Sequence, residues 1–194
     1  MRIIIIVLVL IFSYQSWTKA DDIRDFEIEG MSIGDSLLDF FNKEEINNGI
    51  RDYSYPSGFY ASGFNKDWFK TYQVIDIHLK TNDQKYKIYA LDGMIFYEDI
   101  NDCYSKMKKI EKDLSRQFLS LQKDDQGIGK HNVDASGKST VKRIAWKFDS
   151  GDLLSLECYY WSKEIKKIYP NWGNHLRISL TNKELDNWLW SIQN

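Results

Sequence analysis

The placement of its two cysteines is the feature that most constrains how this chain can fold. Residues 101–122 carry apolar side chains at spacings of three and four, which predicts an amphipathic helix with Cys103 on its apolar stripe. Residues 152–161 alternate apolar and polar side chains, which predicts a strand with Cys158 on its inner face. Both sulfurs are therefore expected to point into the same core, where the helix packs on a sheet.

The first twenty residues indicate the compartment in which that core forms. Arg2 precedes an apolar run over residues 3–12, and a polar segment follows with Thr18 and Ala20 at the positions that signal peptidases favour. The apolar run is about half of the ~20 residues that a membrane-spanning helix needs, which argues against the alternative of a permanent anchor. We therefore predict a cleavable signal peptide over residues 1–20, a periplasmic or secreted location, and no membrane anchor after cleavage.

An oxidising compartment determines the expected state of the cysteines. An even pair of cysteines in an exported chain favours a disulfide, so Cys103 and Cys158 are predicted to form a structural bridge. In the chain-entropy model, closing a loop of this length contributes roughly 4 kcal/mol to stability. The alternative is two buried, unpaired thiols.

The hydrophobic patterns predict a single α+β domain over residues 21–194, with the element order α-βββ-α-βββ-α. Hairpins clustered between helices favour an antiparallel sheet with the helices packed on one face. A short first helix is predicted to begin at Leu37, and Asn42 with Glu45 resembles a capping box for a second helical turn. Asp92-Gly93 is predicted as the turn between two strands. The predicted strands are residues 72–80, 85–91, 94–98, 140–148, 152–161 and 176–180, and residues 51–70 and 123–139 are predicted as loops.

The charge balance excludes one class of partner. The chain carries 26 basic and 28 acidic side chains, and two of the basic ones, Arg2 and Lys19, lie in the predicted signal peptide. The remaining charges do not form a basic face that would attract phosphate backbones or anionic lipid. We therefore expect no nucleic acid among the partners, and an envelope ligand or protein is the partner that we expect.

The motifs that could carry chemistry lack the required context. Residues 136–140 (SGKST) resemble the end of a phosphate-binding loop, but Asn132 stands where that motif requires a glycine. The histidines His78, His131 and His175 stand singly, without the spacing of metal ligands, and we expect the first to be solvated. We therefore predict no metal site, no cofactor and no catalytic residue. A carboxylate pair or a triad assembled from separate loops stays open.

Aromatic side chains make up 15% of the chain and concentrate in three segments. Tyr and Trp have flat apolar faces with a polar edge, which suits stacking on a sugar ring, a peptide or another protein. The alternative is that most of these side chains pack in the core. Residues 169–175 also contain Pro, Gly and Asn, which predicts an exposed loop. The candidate ligand or partner surface is Trp161, Tyr169, Trp172 and His175.

Residues 28–41 (IEGMSIGDSLLDFF), together with Cys103, residues 136–140 and residues 158–163 (CYYWSK), resemble a family of small uncharacterised exported bacterial proteins. The resemblance spans most of the chain after the predicted signal peptide and implies export without implying an activity. We expect a soluble, non-enzymatic binding or interaction domain of the bacterial envelope. The alternative is a hydrolase of envelope polymers with a site assembled from separate loops.

Overall fold

The structure, a computed structural model, describes residues 22–51 and 57–193, so the predicted signal peptide at residues 1–20 lies outside the described residues. Within the described ranges, seven strands form one sheet. The strands are β1 (Phe59–Phe64), β2 (Val74–Lys80), β3 (Ile88–Tyr97), β4 (Gln122–Lys130), β5 (Thr140–Lys147), β6 (Leu153–Tyr160) and β7 (Asn174–Thr181). The helices are α1 (Lys43–Asn48), α2 (Ile100–Gln117), α3 (Lys163–Ile168) and α4 (Lys183–Gln193), and short 3-10 turns lie at Ile23–Asp25 and Leu37–Asp39.

The strand order is β1-β2-β3-β7-β6-β5-β4, and every neighbouring pair is antiparallel. The last strand along the chain, β7, lies between β3 and β6 and so joins the two groups of consecutive strands into one sheet. The predicted α+β class and antiparallel sheet are confirmed. The observed element order matches the prediction roughly, with the short helix α3 inserted before the final strand.

Helix α2 covers one face of the sheet and forms the main core with it. Its N-cap is Asp99, whose side chain accepts a hydrogen bond from the backbone N–H of Asn101. Met107 of α2 is buried in the same cluster as Leu91 and Leu156, which alternate toward this face from their strands. Burying each such side chain contributes about 1.5–3 kcal/mol to stability, so this layer is the main source of folding free energy.

The predicted disulfide is confirmed. Cys103 of α2 and Cys158 of β6 are fully buried and bonded to each other, with their Cα atoms 6.0 Å apart. Strand β6 is the neighbour of β7, which lies at the centre of the sheet. The bridge therefore fastens the long helix to the middle of the sheet.

Helix α4 lies over one end of the opposite face, which differs from the predicted one-sided arrangement of helices. Leu185 of α4 is buried in a second apolar cluster that contains Phe59 and Ala90. Ala90 pairs with His78, whose side chain points away from the face that α2 covers. The apolar side chains at this end of the polar face require cover from water, and α4 provides it.

The predicted turn at Asp92-Gly93 is wrong, because both residues lie inside strand β3. The ring of Tyr72 lies against Gly93, where an added Cβ would come within 2.6 Å of a ring atom. The glycine therefore permits close packing rather than a turn. The chain reverses before β3, where the side chain of Asp83 accepts hydrogen bonds from two backbone N–H groups.

The predictions of loop structure over residues 59–64 and 123–130 are also wrong. Strand β4 is an edge strand that, among the described strands, pairs only with β5, and nearly all of its side chains are exposed, so it shows no apolar periodicity. Strand β1 is the other edge and carries a polar residue at an inner position. That residue, Ser62, is fully buried because its hydroxyl donates a hydrogen bond of 2.7 Å to the carbonyl of Ile46.

Removal of the disulfide tests its structural role. The double substitution Cys103→Ala with Cys158→Ala is expected to lower the free energy of unfolding by about 4 kcal/mol, because the unfolded chain regains the entropy that the bridge removes. Urea titration followed by tryptophan fluorescence measures this change. The wild type treated with reductant should behave like the variant, and an unchanged midpoint in both samples would contradict a stabilising role.

Candidate functional site

The sheet face opposite α2 carries charged side chains on five neighbouring strands. Alternation along each strand places these side chains on one face, because the residues beside them in the sequence face the core. The register sets Glu157 opposite both Arg143 and Arg177. The residues that we term the charge row are His78 of β2, Asp92 of β3, Arg177 of β7, Glu157 of β6 and Arg143 of β5.

The charge row is a continuous set of contacts. Arg143 Nε lies 3.1 Å from Glu157 Oε1, and Arg177 Nε donates a hydrogen bond of 2.8 Å to Glu157 Oε2. Arg177 Nη1 lies 3.7 Å from Asp92 Oδ2, and His78 Nε2 lies 3.1 Å from the same oxygen. Two guanidinium groups thus alternate with two carboxylates, and the formal charges of these four groups cancel.

Both carboxylates of the charge row are buried and ionised. Burial alone would raise the pKa of Asp92, but the Arg177 guanidinium and the hydrogen bond with His78 outweigh burial and hold this pKa well below its usual range. Burial likewise opposes ionisation of Glu157, and Arg177 and Arg143 overcome it, so the pKa of Glu157 is lowered. Burial would lower the pKa of Arg177, but the surrounding carboxylates raise it. Asp92, Glu157 and Arg177 are therefore charged at neutral pH.

The charge row forms the floor of a cleft of about 640 Å³. Helix α4 and strand β6 supply its apolar wall, and side-chain amides of the edge strand β4 also line it. The apolar wall consists of Leu153, Leu185, Leu189 and Trp190, and the amides are those of Gln122 and Gln126. A concave site with an apolar wall and a few fixed polar groups is typical of small-molecule binding.

Two atoms of the charge row have hydrogen-bonding capacity that the described residues do not use. Asp92 Oδ1 is buried without a hydrogen-bond partner there, and only 8% of this side chain is exposed. The hydroxyl of Ser179, which contributes to the low pKa of Asp92, lies 3.1 Å from Thr181 Oγ1. Arg143 Nε is buried beside Glu157 without hydrogen-bond geometry. An unsatisfied buried group costs roughly 1–3 kcal/mol, and a charged one costs more, so a ligand that pairs with these atoms recovers that free energy.

The four aromatic residues predicted as a ligand or partner surface lie together in one cluster. Tyr169 stacks on Trp172 with ring centroids 4.3 Å apart, and Trp172 contacts Trp161 at 4.6 Å. The ring centroid of Tyr159 lies 5.7 Å from that of Trp161 and 4.7 Å from that of His175, so Tyr159 connects these two residues. Trp161 and His175 are buried, whereas Tyr169 is 43% exposed. Only Tyr169 and Trp172 are open to a partner, and the role of the cluster as a binding surface stays a prediction.

Tyr159 connects this aromatic cluster to the charge row. Its hydroxyl donates a hydrogen bond of 2.6 Å to Glu157 Oε2, and the Arg177 guanidinium lies 4.8 Å from its ring centroid. Burial raises the pKa of Tyr159 well above its usual value, so the hydroxyl keeps the proton that it donates. A movement of Arg177 would therefore disturb the aromatic cluster as well.

His175 is held as a neutral ring. Its Nδ1 lies 2.9 Å from the carbonyl oxygen of Gly173, which can only accept, so Nδ1 carries the proton. Burial lowers the pKa of His175 to about 4, although the hydrogen bond to Gly173 opposes this effect. The neutral ring can therefore stack flat on Tyr159 without placing a charge against the buried aromatic side chains.

The segment that resembles a phosphate-binding loop is filled by a carboxylate of the protein itself. Asp134 accepts hydrogen bonds from the hydroxyls of Ser136, Ser139 and Ser162, and from the backbone N–H groups of the first two serines. These donors, Ser136 most strongly, hold the pKa of Asp134 well below its usual range. Because Ser162 is also the N-cap of α3, Asp134 ties the loop to that helix. The segment therefore has a structural role.

Two further observations concern the chain within residues 22–51 and 57–193. No group of three or more His, Cys, Asp or Glu side chains is arranged there to hold a metal ion. None of the helices in these ranges combines the length and the apolar character required to cross a membrane. The three histidines have different surroundings: His78 lies in the charge row, His131 packs against the aromatic cluster, and His175 belongs to that cluster.

Sequence reasoning missed the charge row. It places Asp92 in a turn and expects a solvated His78, whereas both side chains are buried. The available signal was the alternation itself, because each strand carries a charged residue out of phase with its apolar residues. The position of β7 between β3 and β6 was not predictable from local pattern, and that position brings Arg177 between Asp92 and Glu157.

Comparison with known proteins does not assign a family. No protein-family model matches the chain, and the search of solved structures gave no match. A similar sequence is "Aminotransferase swnA" from Arthroderma benhamiae, with 29% identity over 144 residues. The alignment covers 72% of this chain and 27% of that protein, so the chain spans about a quarter of its length. This distant and partial similarity leaves the function to be argued from the site.

The buried neutral His175 predicts a loss of stability in mild acid. The unfolded chain binds the proton near pH 6.5 and the folded chain only near 4, so the free energy of unfolding falls as the pH decreases across this interval. We expect a loss of roughly 3 kcal/mol, measured by urea titration at a series of pH values. The variant His175→Phe keeps a flat ring and should show a weaker pH dependence. Burial also lowers the pKa of His131, which is expected to account for the pH dependence that remains in the variant. An equally steep loss of stability in the variant and the wild type would contradict the assignment to His175.

Proposed function

We propose that this chain is an exported, non-enzymatic binding domain of the bacterial envelope, and that the cleft over the charge row is its binding site. The observation that carries the proposal is Asp92, an ionised carboxylate that lines the cleft and whose buried Oδ1 makes no hydrogen bond with the described part of the chain. Such an atom is stabilised when a ligand supplies the missing donor. Ligand binding then explains why the sheet keeps a buried oxygen without a hydrogen bond, which otherwise lowers its stability.

The size and charge of the cleft support a small polar ligand. Its volume of about 640 Å³ lies within the range of roughly 300–1,000 Å³ found for small-molecule pockets. The arginines and carboxylates of the charge row cancel in formal charge. Lys147, Asp124 and Asp186 also line the cleft, so the lining as a whole carries a formal charge of −1. This nearly neutral lining favours a ligand with little net charge.

The state of the carboxylates favours binding over catalysis. Asp92 and Glu157 line the same cleft, which is the observation that favours the alternative of an envelope-polymer hydrolase. A glycosidase of the common type requires one of its two carboxyl groups to be protonated near neutral pH. Arg177 lowers the pKa of both groups here, so neither is suited to act as the general acid. A protein that only binds needs no such acid.

Export is the second part of the proposal. The composition of residues 1–20 is typical of a signal peptide. The Cys103–Cys158 disulfide supports the same proposal, because disulfides persist mainly in oxidising compartments. A periplasmic or secreted protein is thus consistent with the sequence and with the bonded cysteines.

The intact mass of the protein recovered after expression in a bacterial host tests export. We expect a chain that lacks residues 1–20 and whose two cysteines resist alkylation until reductant is added. A variant with Leu8→Arg in the apolar run serves as the control and should keep its full length in the cytoplasm. Recovery of the unmodified sequence as a full-length chain with two reactive thiols would contradict the proposal.

Blocking the cleft tests the proposed site. Monosaccharides, free amino acids and short peptides serve as probes, with the indole N–H of Trp190 at the cleft wall as the NMR reporter. The substitution Leu153→Trp enlarges a wall residue and is expected to weaken binding of an active probe about tenfold or more by steric exclusion. Leu119→Trp, at a side chain that is 85% exposed outside the cleft, is the matched control and should bind normally. Equal binding by both variants, or no probe that shifts the cleft resonances, would contradict the proposal.

A further inference from the structure

The unpaired groups on the cleft floor specify the chemistry of the ligand. We infer that the cleft binds a zwitterion, a molecule with one ammonium group and one carboxylate, carried by a free amino acid or a short peptide with an apolar side chain. The inference rests on the proposed function, because it names the ligand class for the same cleft. It is carried by three parts of the site: Asp92 Oδ1, the two arginines and the apolar wall.

The first part is an acceptor for an ammonium group. Arg177 Nη1 and His78 Nε2 both approach the same oxygen of Asp92, Oδ2. Oδ1 is buried and makes no hydrogen bond with the described residues, and the Asp92 side chain lines the cleft. Hydrogen bonds between charged groups are about twice as strong as those between neutral groups. An ammonium group therefore satisfies this carboxylate better than a neutral hydroxyl does.

The second part is a set of donors for a carboxylate. Arg177 Nη1 is 3.7 Å from Asp92, which is beyond hydrogen-bonding range, and 30% of the Arg177 side chain is exposed. The Arg143 side chain is 35% exposed and also lines the cleft. The planar guanidinium group matches the two oxygens of a carboxylate. The cleft thus offers a cationic donor close to Asp92 and another farther along the charge row.

The positions of the two arginines distinguish the two sources of this chemistry. Arg177 lies beside Asp92, so an amino acid can place its carboxylate at Arg177 while its ammonium group meets Asp92. Strand β5, which carries Arg143, lies three strand spacings from β3, or roughly 14 Å. Only a ligand longer than one amino acid, such as a dipeptide or tripeptide, extends from Asp92 toward Arg143.

The third part is the apolar wall beside the charged floor. It consists of Leu153, Leu185, Leu189 and Trp190. An aliphatic side chain on the ligand would be removed from water against these residues, with a gain of about 25 cal/mol per Å² of apolar surface. A polar ligand with one apolar side chain therefore fits both the floor and the wall.

Isothermal titration of the purified wild-type protein with matched compounds tests the inference without any substitution. Leucine and dileucine are the probes, N-acetylleucine lacks the ammonium group, and leucinamide lacks the carboxylate. We expect binding of leucine, of dileucine or of both, and at least about tenfold weaker binding of both blocked compounds. Equal affinity for leucine and its blocked forms would overturn the inference.

Three variants locate the binding groups. Asp92→Asn keeps the shape of the side chain and is expected to weaken binding of the active probe about tenfold or more, whereas Asp67→Asn, in an exposed segment outside the cleft, should not. If Arg143→Gln weakens the binding of dileucine and leaves the binding of leucine unchanged, the ligand is a short peptide. If only leucine binds and Arg143→Gln does not change its affinity, the ligand is a free amino acid.

The failure of the inference is distinguishable from failure of the proposed function. If monosaccharides shift the resonances of the cleft while leucine and dileucine do not bind, the proposed ligand class is wrong and the proposed binding function of the cleft is supported. If none of the probes binds, both the inference and the proposed function are contradicted. Loss of folding in Asp92→Asn, checked by circular dichroism, does not affect the comparison of compounds on the wild-type protein.

Discussion

The polar face of this protein depends on Arg177. Its strand, β7, is the last along the chain but lies between β3 and β6, so the guanidinium group reaches Glu157 on one side and Asp92 on the other. Without this cation, two carboxylates would be buried close together, and breaking a buried ion pair by removing one partner typically costs about 3–5 kcal/mol. With it, a charged floor can exist on a sheet whose other face is apolar and is fastened to α2 by the disulfide. The position of β7 therefore joins the two groups of consecutive strands into one sheet and places the cation that the carboxylates of the polar face require.

The predictable parts of the fold are those whose environment is encoded in a single segment, either by its pattern of apolar residues or by a cap formed between near neighbours in the sequence. The stripe of α2 and the alternation around Cys158 correctly placed both cysteines in one core and predicted their bridge. The capping box of Asn42 with Glu45 is present as predicted, because such a cap involves only neighbouring residues. Edge strand β4 could not be found in this way, since its hydrogen bonds to β5 use backbone groups and its side chains face water.

The candidate site was less predictable because it consists of long-range neighbours. Asp92-Gly93 has the composition of a hairpin turn, yet the glycine is required by the ring of Tyr72 from another segment. The predicted aromatic residues Trp161, Tyr169, Trp172 and His175 do lie together, but two of them are buried and support the fold around Tyr159. Their composition drew attention to one end of the polar face, while the cleft lies at the charge row next to them. The local sequence therefore predicted the aromatic residues, and the strand order was needed to find the charge row.

The ionisation state of Asp92 decides between a binding site and a catalytic one. Carbon-13 NMR of its side-chain carboxyl carbon over a pH titration measures this state directly in the folded protein. We expect no protonation of Asp92 between pH 8 and about 4, because Arg177 and His78 hold its pKa below the usual value near 3.9. Protonation of this carboxyl group between about pH 5 and 8 would contradict its role as a permanently ionised binding group. A neutral carboxyl group could donate a proton to a substrate, and the cleft would then have the acid that a hydrolase requires.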